Sequence, residues 1–185
     1  MVVIGSKPSG RARPSLLITL LLVALTVLVA AGAAFLVLAR HDALDRPAHP
    51  LSDEQSKAQV LEPAREIVAV ARLQNTVGGY ILMSCESKTD PPYQGAIYLT
   101  FDLPKTTDYF DQIAAELVSH GWRITPPPSR YLSGISASKN GVTAILYRDP
   151  DRDGSGVMKV YGECRNVVDH RNDTAGWVDI TDQLH

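Results

Sequence analysis

Cysteine is scarce: Cys85 and Cys164 are the only two in 185 residues. They form no C-x-x-C, so the pattern of a redox-active dithiol is missing. The five histidines, His41, His49, His120, His170 and His185, never fall in a metal-ligand spacing such as H-x-x-x-H. No G-x-S-x-G nucleophile turn occurs, and no glycine loop able to cradle phosphate. Ser136-x-x-Lys139 has the spacing of the nucleophile pair of penicillin-recognising enzymes, but the partner motifs S-D-N and K-T-G are missing. Acid is absent from the first 41 residues, where Lys7, Arg11, Arg13 and Arg40 are the charged side chains. The remaining 14 bases face all 20 acids, so the rest of the chain is net acidic. That balance excludes a nucleic-acid binder, which needs a basic stripe.

What is present begins with one long apolar run. Residues 16–38 (LLITLLLVALTVLVAAGAAFLVL) hold no charge over 23 positions. A helix of that length reaches about 34 Å, against about 30 Å of hydrocarbon. The run therefore predicts a transmembrane helix in direct contact with the lipid bilayer. A cleaved secretory signal is the alternative, with small residues at 31–34. Its apolar core would be about 7–15 residues, whereas Phe35-Leu36-Val37-Leu38 resumes the run here. No cysteine follows, so a lipoprotein attachment site is missing. Lys7, Arg11 and Arg13 precede the run and Arg40 and Arg46 follow it. The positive-inside rule then puts the tail 1–15 in the cytoplasm and the rest outside the plasma membrane. Residues 39–51, with Pro47 and Pro50, read as a juxtamembrane linker, and 52–185 as one extracytoplasmic domain.

Ser52-x-x-Gln55 has the form of a capping box opening a helix, with Asp53 and Glu54 in the first turn. Pro63 either kinks that helix or starts a second. The apolar face of the second stretch runs through Ile67, Val68 and Ala71 to Leu73, and Val77-Gly78-Gly79 ends it. Strands are expected at 80–84, 96–101 and 122–125. Between the last two, Thr106 or Thr107 caps an amphipathic helix that buries Phe110, Ile113, Ala114 and Leu117 and ends near His120. Asn140-Gly141 predicts a type I′ hairpin joining strands 135–139 and 142–148. A last strand covers 157–164, and 177–180 forms a short edge element. Hairpin-linked strands with a helix in one crossover give an α+β domain, a mostly antiparallel sheet packed against one or two helices. The pattern leaves the strand order open.

The stretches SCESKTDPPYQGAIYLTF, YFDQIAAELVSHGW and VYGECRNVVDHR resemble small single-pass membrane proteins of mycobacteria and related actinobacteria. The resemblance runs from about residue 80 to the C-terminus. It implies an envelope location and brings no catalytic motif with it.

Outside the cytoplasm a lone cysteine pair usually oxidises, so Cys85 and Cys164 are expected as a disulfide, with two buried free thiols as the alternative. Asp149-x-Asp151-x-Asp153-Gly154-Ser155 matches the first half of an EF-hand-type calcium loop. Three carboxylates and the Ser155 carbonyl would supply about four or five of the six to eight oxygens calcium takes. Loop position twelve, which should be glutamate, is Val160. The expectation is a weak calcium site or a plain acidic hairpin turn, and no other cofactor. Two loops offer contact side chains: 125–134 with Arg130 and Tyr131, and 90–95 with Tyr93. Ordinary strand connections with packed tyrosines are the alternative.

These features point to a non-catalytic interaction or sensing module tethered outside the membrane, binding an envelope protein or a cell-wall component. Two other readings stay open. One is an envelope enzyme whose acids, Glu86, Glu116 and Glu163 among them, meet only in three dimensions. The other is an accessory subunit that joins a membrane complex through its transmembrane helix.

Overall fold

The computed structural model describes Leu25, Val27 and Leu28, and residues 49–86, 89–127, 133–173 and 176–185. Those first three positions are helical and exposed. The rest of the expected transmembrane helix 16–38, the tail 1–15, most of the linker, and the loop residues Arg130 and Tyr131 lie outside the described residues. Among the described residues, no helix is long and apolar enough to cross a membrane. One compact unit covers Arg46–His185.

Helix α1 runs Asp53–Val70. The Gln55 amide donates to Ser52 Oγ at 3.2 Å, and the Ser52 amide donates back to Gln55 Oε1 at 2.9 Å, which closes the capping box. Ser56, Val60, Ala64, Ile67 and Val68 recur every three or four residues and form its buried stripe. Pro63 neither divides the helix nor opens a second one, since it sits inside a continuous helix. The helix ends earlier than its apolar pattern suggests. Ala71 is the C-cap, and Arg72 turns the chain with φ of 50°. Strand β1, Gln74–Ser84, follows at once, so Val77-Gly78-Gly79 lies within a strand rather than at a helix end. The glycine at 79 is there for clearance. A Cβ on it would stand 3.2 Å from the Trp177 side chain.

Strand β2 is Tyr93–Asp102, helix α2 is Tyr109–Ser119 and β3 is Arg123–Thr125. Then come β4 (Gly134–Lys139), β5 (Val142–Arg148), β6 (Ser155–Tyr161), β7 (Val178–Asp179) and a 3-10 turn at Thr181–Gln183. The N-cap of α2 is Asp108 rather than either threonine. Its carboxylate accepts from Gln112 Nε2 at 2.8 Å instead of capping a backbone amide. Asn140 and Gly141 both take positive φ, 50° and 80°, as a type I′ hairpin requires. The strands form one antiparallel sheet in the order β3-β4-β5-β6-β2-β1-β7.

The fold is thus α+β, an antiparallel sheet with two helices on one face. Ile97 and Leu99 of β2 lie beside Val160 and Met158 of β6, which in turn lie beside Ala144 and Leu146 of β5. Helix α1 packs on β1, β2, β5 and β6, and α2 on β3 and β4. Val60, Ala64 and Ile67 of α1 and Ile113 and Leu117 of α2 close that core. Each fully buried Val, Leu, Ile or Met side chain among them contributes about 1.5–3 kcal/mol. Strand alternation sends Gly79, Tyr98, Lys159 and Ile145 to the opposite face as one cross-strand row. Neither α1 nor α2 lies on that face.

Candidate functional site

The polar stretch after β6 is tightly engaged. Cys85, just past β1, and Cys164 are joined, with their Cα atoms 6.1 Å apart. From there the chain forms a strap back to the start of α1. The Leu51 amide donates to the Arg165 carbonyl at 2.9 Å, and Arg165 Nε donates to the His49 carbonyl at 2.7 Å. Asn166 is fully buried, exchanges backbone bonds with Tyr93, and donates from Nδ2 to Asp53 Oδ1 at 2.7 Å. His170 stands between two carboxylates, with Nδ1 2.6 Å from Asp173 and Nε2 3.1 Å from Asp53. The Tyr93 ring meets it edge-on at 5.0 Å.

Burial pulls the His170 pKa down, but the Asp173 hydrogen bond and the Asp53 charge outweigh it, so the net direction is upward. In the protonated form both ring nitrogens donate, one to each carboxylate. Protonation favours the folded state. The stabilisation is complete below the unfolded value of 6.5 and is lost as pH climbs through the raised folded value. A His170→Asn variant is therefore expected to lag the parent in urea midpoint at about pH 5.5 and to approach it at about pH 9. An equal deficit at both pH values would mean that the contribution of His170 is packing alone.

The other sequence candidates are placed as follows. Tyr93 is the first residue of β2 rather than part of a turn, and at 3% exposure it is a packed side chain, not a surface contact. Its hydroxyl donates to the Thr89 carbonyl. Asp149, Asp151, Asp153 and Ser155 join β5 to β6. The Asp149 amide donates to the Ser155 carbonyl at 2.9 Å, and the Asp151 amide to Asp149 Oδ1 at 3.0 Å. Among the described residues no three His, Cys, Asp or Glu side chains are grouped to hold a metal ion. Ser136 and Lys139 fall on opposite faces of β4, and Lys139 Nζ is 2.7 Å from Glu66 Oε1. Glu163 accepts from Gln59 and Arg165, while Glu116 lies on α2, on the β3–β4 side of the sheet.

A feature that the strand pattern did not reveal is the surface opposite the helices. The Trp177 side chain lies over Gly79, and its ring centre is 6.3 Å from that of Tyr98. With Val77 and Thr100 they line an open groove of about 550 Å³. Trp177 is 56% exposed and Tyr98 37%. Next along the row, Lys159 Nζ sits 5.8 Å from the Tyr98 ring centre and 5.7 Å from that of Tyr147. Burial draws the Lys159 pKa down, yet its Tyr147 hydrogen bond and the neighbouring tyrosines outweigh this, so the net direction is upward. The cation persists at neutral pH.

These features define a class: a two-layer α+β domain, closed by one disulfide and a polar strap, with one aromatic sheet face left open. The chain belongs to the LppJ family, whose model, described as "Putative lipoprotein LppJ", matches residues 52–183. A Mycobacterium tuberculosis protein of that description is 44% identical over 170 residues, covering 89% of this chain and 90% of its own. One from Mycobacterium bovis is 46% identical over 141 residues, covering 76% and 74%. The relatives are mycobacterial, as the sequence resemblance implied. No solved structure matches the chain.

Proposed function

We propose that this chain is a membrane-anchored, non-catalytic binding module of the cell envelope, with the open sheet face as its contact surface. The exposed Trp177 beside Tyr98 carries this reading. A large apolar side chain left in water on a rigid sheet is costly unless a partner covers it, and aromatic side chains dominate binding surfaces. His170 and Glu163, already engaged with carboxylates and with Gln59 and Arg165, support binding rather than catalysis. The partner is an envelope protein or a cell-wall component.

The relatives are described as lipoproteins, which supports a membrane tether. Both cysteines of this chain are joined to each other inside the domain. We therefore assign the tether to the apolar run 16–38 itself, with residues 1–15 in the cytoplasm and the domain outside. This topology rests on the uncharged length of the run and the basic residues before it.

Photocrosslinking in cells tests the contact face. A photoreactive residue at Val77, beside Trp177, is expected to trap a partner, and one at Gln112 on the wet side of α2 is not. Trp177→Ala should weaken that binding by about 30-fold, the effect of a 2 kcal/mol hot spot. Stability should change by no more than about 1 kcal/mol. Crosslinking from Gln112 alone, or binding indifferent to Trp177→Ala, would contradict the assignment.

A further inference from the structure

The open sheet face offers a different contact at each end of its central row. At the β7 end stand the rings of Trp177 and Tyr98, tilted by 59° to each other. On the next strand inward stands Lys159, paired across the ladder with Tyr98. Its Nζ lies 5.8 Å from the Tyr98 ring centre. An acid group on a ligand that rests on that ring can reach it.

Lys159 is an unmatched charge. The groups that act on it are Tyr147, Tyr161 and Tyr98, and among the described residues no carboxylate pairs with it. Asp149 and Arg152, from the β5–β6 turn, act on Tyr98 in opposite senses. Asp179, on the edge strand β7, already accepts from the Thr181 amide at 2.8 Å. An anion is therefore favoured at the Lys159 end of the row, and a cation is repelled there.

The same face is poorly suited to a peptide. At Gly79, β1 is paired on both sides, with Tyr98 and with Asp179, so no backbone edge is free for an added strand. The groove is open and floored by Gly79 and Thr100, without the deep pocket that anchors a peptide side chain. What it presents is ring faces, hydroxyls and an indole N–H. Among the described residues neither the Trp177 N–H nor the Tyr98 hydroxyl has a hydrogen-bond partner. A pyranose matches that set. Its C–H groups carry slight positive charge and suit the negative ring faces, and its hydroxyls bond to O–H and N–H groups.

We propose, resting on the reading of this face as the contact surface, that the groove binds a carboxylate-bearing pyranose unit of a glycan. The sugar ring lies on Trp177 and Tyr98, and its carboxylate lies beside Lys159 Nζ.

The test uses the full chain in lipid nanodiscs with isotope-labelled tryptophan, read by the indole N–H signals. The chain has two tryptophans, and Trp122, buried in the core at 3% exposure, is the internal control. Methyl β-D-glucuronide and methyl α-D-galacturonide are titrated. Methyl β-D-glucoside serves as the neutral counterpart of the first, and acetyl-Pro-Glu-Pro-amide as an acidic peptide. A saturable shift of the Trp177 signal, with Trp122 unmoved, is expected with at least one uronide. Binding of the glucoside should be about tenfold weaker, the loss of one charge-assisted hydrogen bond. Lys159→Gln should bring uronide affinity down to that of the glucoside and leave glucoside binding unchanged. Lys159→Arg, which keeps the charge, should bind the uronide within about threefold of the parent. A Trp122 signal at its parental position shows that each variant is folded. The assignment is overturned if neither uronide gives a saturable shift, if the glucoside binds as well as the glucuronide, or if Lys159→Gln binds the uronide like the parent. Peptide binding as tight as that of the uronides would overturn it too. The photoreactive residue at Val77 judges the contact surface separately. A partner trapped there while the uronides stay silent would remove the sugar and keep the contact face.

Discussion

Replacing Cys85 and Cys164 together by serine is expected to lower the stability of the domain by about 4.5 kcal/mol. That would be a large part of the total for a domain of this size, about 5–15 kcal/mol. The bridge joins positions 79 apart in sequence, and closing so long a loop removes much conformational freedom from the unfolded chain. It also fixes where the strap begins. Arg165, Asn166 and His170 reach His49, Tyr93 and Asp53 from a starting point pinned to the end of β1. Urea unfolding of the parent and the double-serine variant measures the effect as a shift in midpoint at nearly constant slope. A difference below about 1 kcal/mol would mean that the strap and core hold the native state without the bridge.

Gly156→Ala is expected to cost about 3 kcal/mol although it adds one methyl group. Gly156 faces Phe101 across the β2–β6 ladder, and a Cβ there would stand 2.2 Å from Phe101 Cζ and 2.4 Å from Cε2. Phe101 is 2% exposed, so its ring has nowhere to go without displacing other core side chains. Trimming the ring should relieve the clash. The double variant Gly156→Ala with Phe101→Leu is expected to be more stable than the sum of the two single losses by at least about 1 kcal/mol. Additive losses would show that the strand bends to admit the methyl group and that the ring is not the obstacle.

Local chemistry made some of this fold legible in the sequence. Ser52 with Gln55, and Asn140 with Gly141, act on neighbours within three residues, and both turned out as their spacing implies. Ile113 and Leu117 of α2 are buried at helical spacing, and alternation in β6 separates Met158 and Val160 from Lys159 as expected. The start of β1 was not legible, because two consecutive glycines signal a helix end as well as a strand that must clear a tryptophan. The strap was hidden for a different reason. Asn166 and His170 find Asp53 across more than a hundred positions, through polar side chains that leave no apolar period. The strand order and the row Gly79–Tyr98–Lys159 depend on the same long-range pairing. Tyr93 reads in the sequence as part of the 90–95 loop, whereas it begins a strand and is buried, which follows from the strap and could not be read locally.

Thiol reactivity of the full chain in intact cells tests most directly the claim of a domain held outside the membrane and closed by its one cysteine pair. Cells are treated with a membrane-impermeant maleimide, with and without an impermeant reductant. Labelling of Cys85 and Cys164 only after reduction is the predicted result, since the two sulfurs are joined to each other and the proposed topology puts them on the outer side. No labelling of intact cells even with reductant, together with free labelling after lysis without it, would contradict the account. The thiols would then be reduced and enclosed, and the domain would be on the cytoplasmic side.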